Sequence, residues 1–217
     1  MSVQIVNKDI ERYMRSLLAS HDEPVLLEME KLAEERNFPI VNRHVGVTLE
    51  ILTHAIRARR VFELGSGYGY SAYWFSKGAG PHGEVHCTDG DPKNAKAAED
   101  FLRRVGLWDR ITFHVSDAVT ALEKTSGDYD IVYNDIDKYG YPDAWLASRN
   151  RVRLGGFYIC DNVLWSGRVA EDSSKDDARP AWTNAIKKHN EMIALDRDYL
   201  SSILPIRDGV MLAHRLR

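Results

Sequence analysis

Cysteine is nearly absent: the 217 residues contain two, Cys87 and Cys160. Two thiols, each inside an apolar run, cannot staple a disulfide-rich secreted fold or build a cysteine-rich zinc site. They read as buried strand fillers. An excess of positive charge is also missing. The 29 Lys and Arg against 32 Asp and Glu leave a net charge of −3. That balance excludes a globally basic nucleic-acid binder and offers nothing to an anionic membrane surface. No apolar run approaches the roughly 18 residues of a membrane span. The opening stretch MSVQIVNKDIERYMRSLL carries acids early and has no apolar core with a small-residue cleavage site, so a cytoplasmic location is expected. The eight histidines show no ligand spacing; His86 and His114 alternate within β-type runs and read as structural.

No repeat, low-complexity tract or Pro/Gly/Ser linker divides the chain. With 44% apolar residues it can fill a sizeable core, and one domain over 1–217 is expected, with a helical cap at 1–58 and an α/β core at 59–217. The cap reads as helices over Lys8–Ser20, Pro24–Arg36 and Gly46–Ala58. Strands are expected at Arg60–Leu64, Glu84–Asp89, Ile111–Ser116, Asp130–Asp135 and, after a Leu154-Gly155-Gly156 turn, Gly156–Asp161. Helical runs separate the earlier ones. This βαβα alternation predicts an α/β fold of Rossmann-like type, a mostly parallel sheet with helices on both faces. Tyr199–Leu204 and Val210–His214 leave no room for a crossover helix, so they are expected to close the sheet as an antiparallel hairpin.

The first strand runs into Glu63-Leu64-Gly65-Ser66-Gly67-Tyr68-Gly69-Tyr70-Ser71, which opens a helix. Its glycines permit a tight turn and close approach of a ligand to the backbone. Asp89, 22 residues past Gly67, ends the second strand, where a carboxylate can accept both hydroxyls of a ribose. A dinucleotide fingerprint has a third glycine where this chain has Tyr70. Glu63, at the end of the strand, suits a cationic amino-acid group better than a pyrophosphate. Together these favour S-adenosylmethionine over NAD.

Two acidic patches mark later strand ends: Asn134-Asp135-Ile136-Asp137-Lys138 and Asp161-Asn162. If those strands are neighbours, about 4.8 Å apart, then Asp135, Asp161 and Asn162 converge beside the glycine loop. Two carboxylates and an amide oxygen form a hard half-shell for Mg²⁺, Mn²⁺ or Ca²⁺. The same residues also serve as turn formers and helix caps, and spacing does not decide between the two uses.

The runs YDIVYNDIDKYGY and LGGFYICDNVLWSGRV resemble the cation-dependent class I S-adenosylmethionine O-methyltransferases, the family of catechol and caffeoyl-coenzyme A O-methyltransferases and their bacterial relatives. The resemblance extends to PIVNRHVG, ELGSGYGYSA, SDA at Ser116–Ala118 and the closing PIRDGVML, and so covers nearly the whole chain. It implies that Asp135, Asp161 and Asn162 are metal ligands and Lys138 the general base. It also implies that Glu63, Gly65 and Ser71, within the loop that includes Ser66, Gly67 and Tyr68, surround the methionine part of the cofactor. Asp89 then takes the ribose, Asp117 and Ala118 flank the adenine, and Val41 closes over the cofactor from the cap. Two departures are visible: Asp89 stands where glutamate is usual, and Ile136 where a small residue is usual.

The expected reaction is divalent-metal-dependent methyl transfer from S-adenosylmethionine to a hydroxyl of a small catechol-like diol, by a homodimer. Trp165 suits either a wall of the acceptor site or the core, and the polar segment 166–179 is expected to shape acceptor choice. Rival expectations are methyl transfer to tRNA, against which the net charge counts, and a non-catalytic S-adenosylmethionine-binding protein.

Overall fold

A computed structural model describes residues 7–18, 22–171 and 179–217. Three helices come first: α1 (Lys8–Ser16), α2 (Pro24–Arg36) and α3 (Arg43–Ala55). Proline at the first turn starts α2, and Asn37 ends it in the left-handed conformation (φ 47°), where asparagine is tolerated better than most residues. The expected Gly46 start of α3 moves back three residues because the Asn42 side chain caps the Val45 amide at 3.1 Å. Arg43, in that added turn, is buried against Glu30 and Asp22. The first helix ends at Ser16, short of Ser20; positions 19 and 20 lie outside the described residues.

The remaining elements are β1 (Arg60–Leu64), α4 (Tyr70–Ala79), β2 (Glu84–Asp89), α5 (Pro92–Arg104), β3 (Ile111–Val115), α6 (Ala118–Lys124), β4 (Tyr129–Asn134), α7 (Tyr141–Ser148), β5 (Val152–Cys160), α8 (Pro180–Ala194), β6 (Tyr199–Leu204) and β7 (Val210–Arg215). They build one seven-stranded sheet in the order β3-β2-β1-β4-β5-β7-β6. All neighbouring pairs are parallel except the two made by β7, which runs antiparallel to both β5 and β6. The expected hairpin is therefore present and fills the far edge.

One strand departs from expectation. Gly155 and Gly156 do not form a turn before β5; they lie inside it. Gly155 has φ 73°, and the register with β4 shifts between Tyr129 and Ile131. The glycine pair thus lies in an irregular bulge: two steps along β4, Tyr129 to Ile131, oppose five along β5, Val152 to Phe157, and the left-handed glycine lets the strand absorb the excess without ending.

Side-chain alternation splits the core in two, as the two-residue period of a strand requires. Val61, Ile131 and Tyr133 face one side with residues of α2 to α5, including Leu26, Leu49 and Trp74. Phe62, Leu64 and Val132 face the other with residues of α6 to α8, including Leu122, Trp145 and Ile186. Cys87 and Cys160 are buried free thiols in β2 and β5, and the His86 and His114 rings stack at 5.3 Å across β2 and β3. No helix among the described residues is long and apolar enough to cross a membrane.

Candidate functional site

Chain order reverses on either side of β1, so β1 and β4 flank a switch point, and the loops after their carboxyl ends open a crevice there. A cavity of about 920 Å³ occupies that place. The glycine loop makes its floor. Gly65 N donates to Thr88 Oγ1 at 3.0 Å, and Thr88 Oγ1 donates to Glu63 O at 2.9 Å. Ser66 and Thr88 bond each other reciprocally, at 2.7 and 3.0 Å, so β2 fixes the loop that follows β1. Gly65 has φ 83°, and a Cβ there would stand 2.7 Å from the Asp135 carbonyl oxygen. Only glycine lets the two strand ends approach this closely.

Along the cavity wall, Asp89 ends β2 with Oδ1 held by the Asp91 amide (2.7 Å) and the Asn94 amide group (3.1 Å). Asp117 and Ala118 open α6 on the same wall. The Asp117 carboxylate caps that helix through the Thr120 amide at 2.8 Å, and those backbone hydrogen bonds hold its pKa below the ordinary value. Val41, buried, reaches the cavity from the segment between α2 and α3. Gly65, Ser66, Gly67 and Ser71 line it as well.

Glu63 and Tyr68 do not line the cavity. Tyr68 is buried with its hydroxyl on Met29 O at 2.9 Å, tying the glycine loop to α2. Glu63 is wholly buried behind Ser71, whose hydroxyl donates to Oε1. Burial pushes the Glu63 pKa up to about 7, against hydrogen bonds from Ser71 and Ser66 that pull it down. Its folded-state pKa thus lies above the ordinary 4.5. The stabilisation from holding that proton is complete below about pH 4.5 and is lost as pH rises through about 7. Chemical denaturation of the ligand-free protein should show wild-type stability falling relative to Glu63→Gln by on the order of 3 kcal/mol between pH 4.5 and 7.5. Parallel pH profiles for the two proteins would contradict this.

The carboxylate cluster forms where β4 and β5 end side by side. Asp135 N bonds Leu64 O at 2.9 Å and Asp161 N bonds Asn134 O at 3.1 Å, so both acids leave the sheet at one edge. Asn162 adopts φ 58°. Lys138 Nζ lies 2.7 Å from Asn162 Oδ1 and 3.4 Å from Asp135 Oδ1. Burial raises the Asp135 pKa to about 6 although the Lys138 charge opposes it. Asp161 is fully buried and does not reach the cavity wall. Its Oδ2 accepts from Arg207 Nη1 at 2.5 Å, and its Oδ1 has no hydrogen-bond partner among the described residues. No three His, Cys, Asp or Glu converge on a metal position among the described residues. The donor set is two carboxylates and one amide. It fits a hard cation on two observations: an ammonium already stands between two of the three donors, and the third presents an orphaned buried oxygen.

Aromatic residues form the outer wall. Trp165 lines the cavity with its ring 5.8 Å from that of Trp182, and Arg179 lies over the Trp182 ring at 4.5 Å. Trp165 both lines the cavity and packs against the second core cluster. Segment 166–179 is described only as far as 171 and again from 179; within it, residues 165–170 turn as a short 3-10 helix broken at Ser166 and Gly167.

Lining residues that the sequence does not single out include Phe38, Thr88, Trp182, Arg207 and Asp208. The last two stand in the PIRDGVML run, but nothing in that run signals that the arginine turns inward.

The model of the O-methyltransferase family matches residues 17–216. A catechol O-methyltransferase of Mycobacterium tuberculosis is 32% identical over 173 residues, which is 78% of this chain and 78% of that protein. A methyltransferase of Geobacter sulfurreducens superposes with a TM-score of 0.84 at 28% identity, covering 100% of both chains. An O-methyltransferase of Streptomyces achromogenes in complex with SAM shares the fold with a TM-score of 0.85 at 24% identity, over 96% of each chain.

Proposed function

The chain belongs to the O-methyltransferase family and is an S-adenosylmethionine-dependent enzyme; on that premise we propose that it methylates one hydroxyl of a small aromatic vicinal diol with the help of a divalent cation. The observation that carries this reading is the cluster at the cavity's end, beside the glycine loop: Asp135 and Asn162 meet at Lys138 Nζ, and the neighbouring Asp161 presents a buried, orphaned Oδ1. The M. tuberculosis relative's name, catechol O-methyltransferase, supports the acceptor class. A cytoplasmic homodimer is part of the proposal, carried by the family resemblance.

In this reading Gly65, Ser66, Gly67 and Ser71 hold the methionine end of the cofactor, with Glu63 fixing Ser71 from behind. Asp89 takes the ribose, Asp117 and Ala118 border the adenine, and Val41 covers it. Tyr68 contributes by anchoring the loop to α2. Asp135, Asp161 and Asn162 would hold Mg²⁺, or Mn²⁺ or Ca²⁺, which when bound supplies Lewis acidity toward an acceptor oxygen. Trp165, with Trp182, gives a flat acceptor a flat wall. Lys138 would take the acceptor's hydroxyl proton at Nζ as that oxygen bonds the methyl carbon and the methyl's bond to the sulfonium sulfur breaks, with S-adenosylhomocysteine as the leaving product. The charge it gains is stabilised by Asp135, 3.4 Å away. Alignment supplies most of the acceleration, on the order of 7–11 kcal/mol for well-oriented reactants.

A panel of acceptors tests the reading. With S-adenosylmethionine and Mg²⁺, catechol should give methylated product at least a hundredfold faster than phenol, which has a single hydroxyl. Equal rates for the two would remove the case for a chelated diol.

A further inference from the structure

Arg207 sits in the turn joining β6 and β7 with φ 52°, a left-handed conformation for which glycine is the low-cost residue. Its side chain is what the position gains. Nη1 donates to Asp161 Oδ2 at 2.5 Å and Nη2 donates to Ile40 O at 2.8 Å, so the guanidinium joins the acid after β5 to the segment before α3. Arg207 lines the cavity and Asp161 does not. One oxygen of the buried acid is therefore taken by a fixed cation, and only Oδ1 is open to another. Lys138 stands on Asp135 and Asn162, so two built-in cations balance two carboxylates before any ion arrives.

We propose that Arg207 is a positioning residue, the internal counter-cation of Asp161, which orients that carboxylate and holds the site's affinity for a divalent cation down. The inference rests on the cation site proposed above. Two opposing effects decide its sign. A partner that orients a metal-binding carboxylate strengthens binding by about 10–100-fold. A guanidinium and an ion sharing one carboxylate repel across a few ångströms. Unit charges about 4 Å apart, at an effective dielectric near 20, shift an equilibrium by about three powers of ten. Repulsion wins, and removing the charge tightens binding.

The test is direct titration of Mn²⁺ into the S-adenosylhomocysteine complex, with free ion followed by electron paramagnetic resonance. Arg207→Gly, which suits the backbone, and Arg207→Gln should both bind Mn²⁺ at least tenfold more tightly than wild type. Arg207→Lys should stay within about threefold of it. Asp161→Ala/Arg207→Gly should lose the site. Damage to the fold would weaken binding, so a gain in affinity separates a charge effect from a structural one. Unchanged or weaker affinity in both neutral variants, with binding still dependent on Asp161, overturns the role of Arg207 and leaves the cation reading standing. No Asp161-dependent Mn²⁺ binding in any of these proteins overturns both.

Discussion

Lys138→Ala should lower kcat by about two to four powers of ten, the usual worth of a positioned general base, while the dissociation constant for S-adenosylhomocysteine stays within about twofold. The split follows from where the residue stands. Lys138 Nζ meets Asp135, Asn162 and the Ile136 carbonyl, all at the acceptor end of the cavity, and makes no hydrogen bond with the glycine loop or with Asp89. On the proposed role, its loss removes a group that acts in the reaction and not in cofactor binding. Lys138→Arg should be nearly as damaging, because a guanidinium keeps its proton and cannot serve as base. Single-turnover rates with catechol and saturating S-adenosylmethionine measure the chemical step. A kcat within threefold of wild type in both variants would assign Lys138 to charge balance alone.

Asp161→Ala should both abolish cation binding and destabilise the protein by about 3 kcal/mol. Breaking a buried ion pair from one side costs about 3–5 kcal/mol, because the remaining charge loses its partner. The lower end applies because the Arg207 side chain, which lines the cavity, keeps 26% exposure and thus contact with solvent, whereas Asp161 has none. For a chain of this size the melting temperature should fall by roughly 6–12 °C. Replacing Arg207 by glycine in the same protein should return most of that loss, since no unpaired charge remains and the left-handed turn is relaxed. Thermal melts of the single and double variants measure this. A single variant melting within about 1 °C of wild type would mean that the pair does not contribute to the folded state.

Much of this architecture is legible in the sequence. The β-type runs from Arg60, Glu84 and Tyr199 became β1, β2 and β6 with the expected ends, because each stops at a glycine or proline: Gly65, Gly90 and Pro205. The crevice was legible too: a glycine loop after one strand and acids after two others must meet if those strands are neighbours, and they are. Gly155-Gly156 misled for a physical reason. A glycine pair reads locally as a turn, and only pairing with β4 on both sides of it, at Val152 and at Phe157, carries the strand through. Trp182 and Phe38 belong to segments whose own patterns say nothing about a cavity; tertiary packing brings them there. Glu63 was placed at the strand end correctly, but burial behind Ser71 is set by the opposing helix α4, which strand spacing does not encode. Arg207 was least legible. Its inward turn depends on a left-handed backbone at an arginine and on an acid 46 residues earlier in the chain.

The central claim is that a divalent cation on Asp135, Asp161 and Asn162 is needed for methyl transfer to a vicinal diol. The most direct measurement is product formation from catechol and S-adenosylmethionine by protein stripped with EDTA and dialysed, before and after Mg²⁺ is returned. The account predicts at least a hundredfold loss on stripping, full recovery with Mg²⁺, and no recovery in Asp161→Ala. Undiminished methylation by the stripped protein would contradict it.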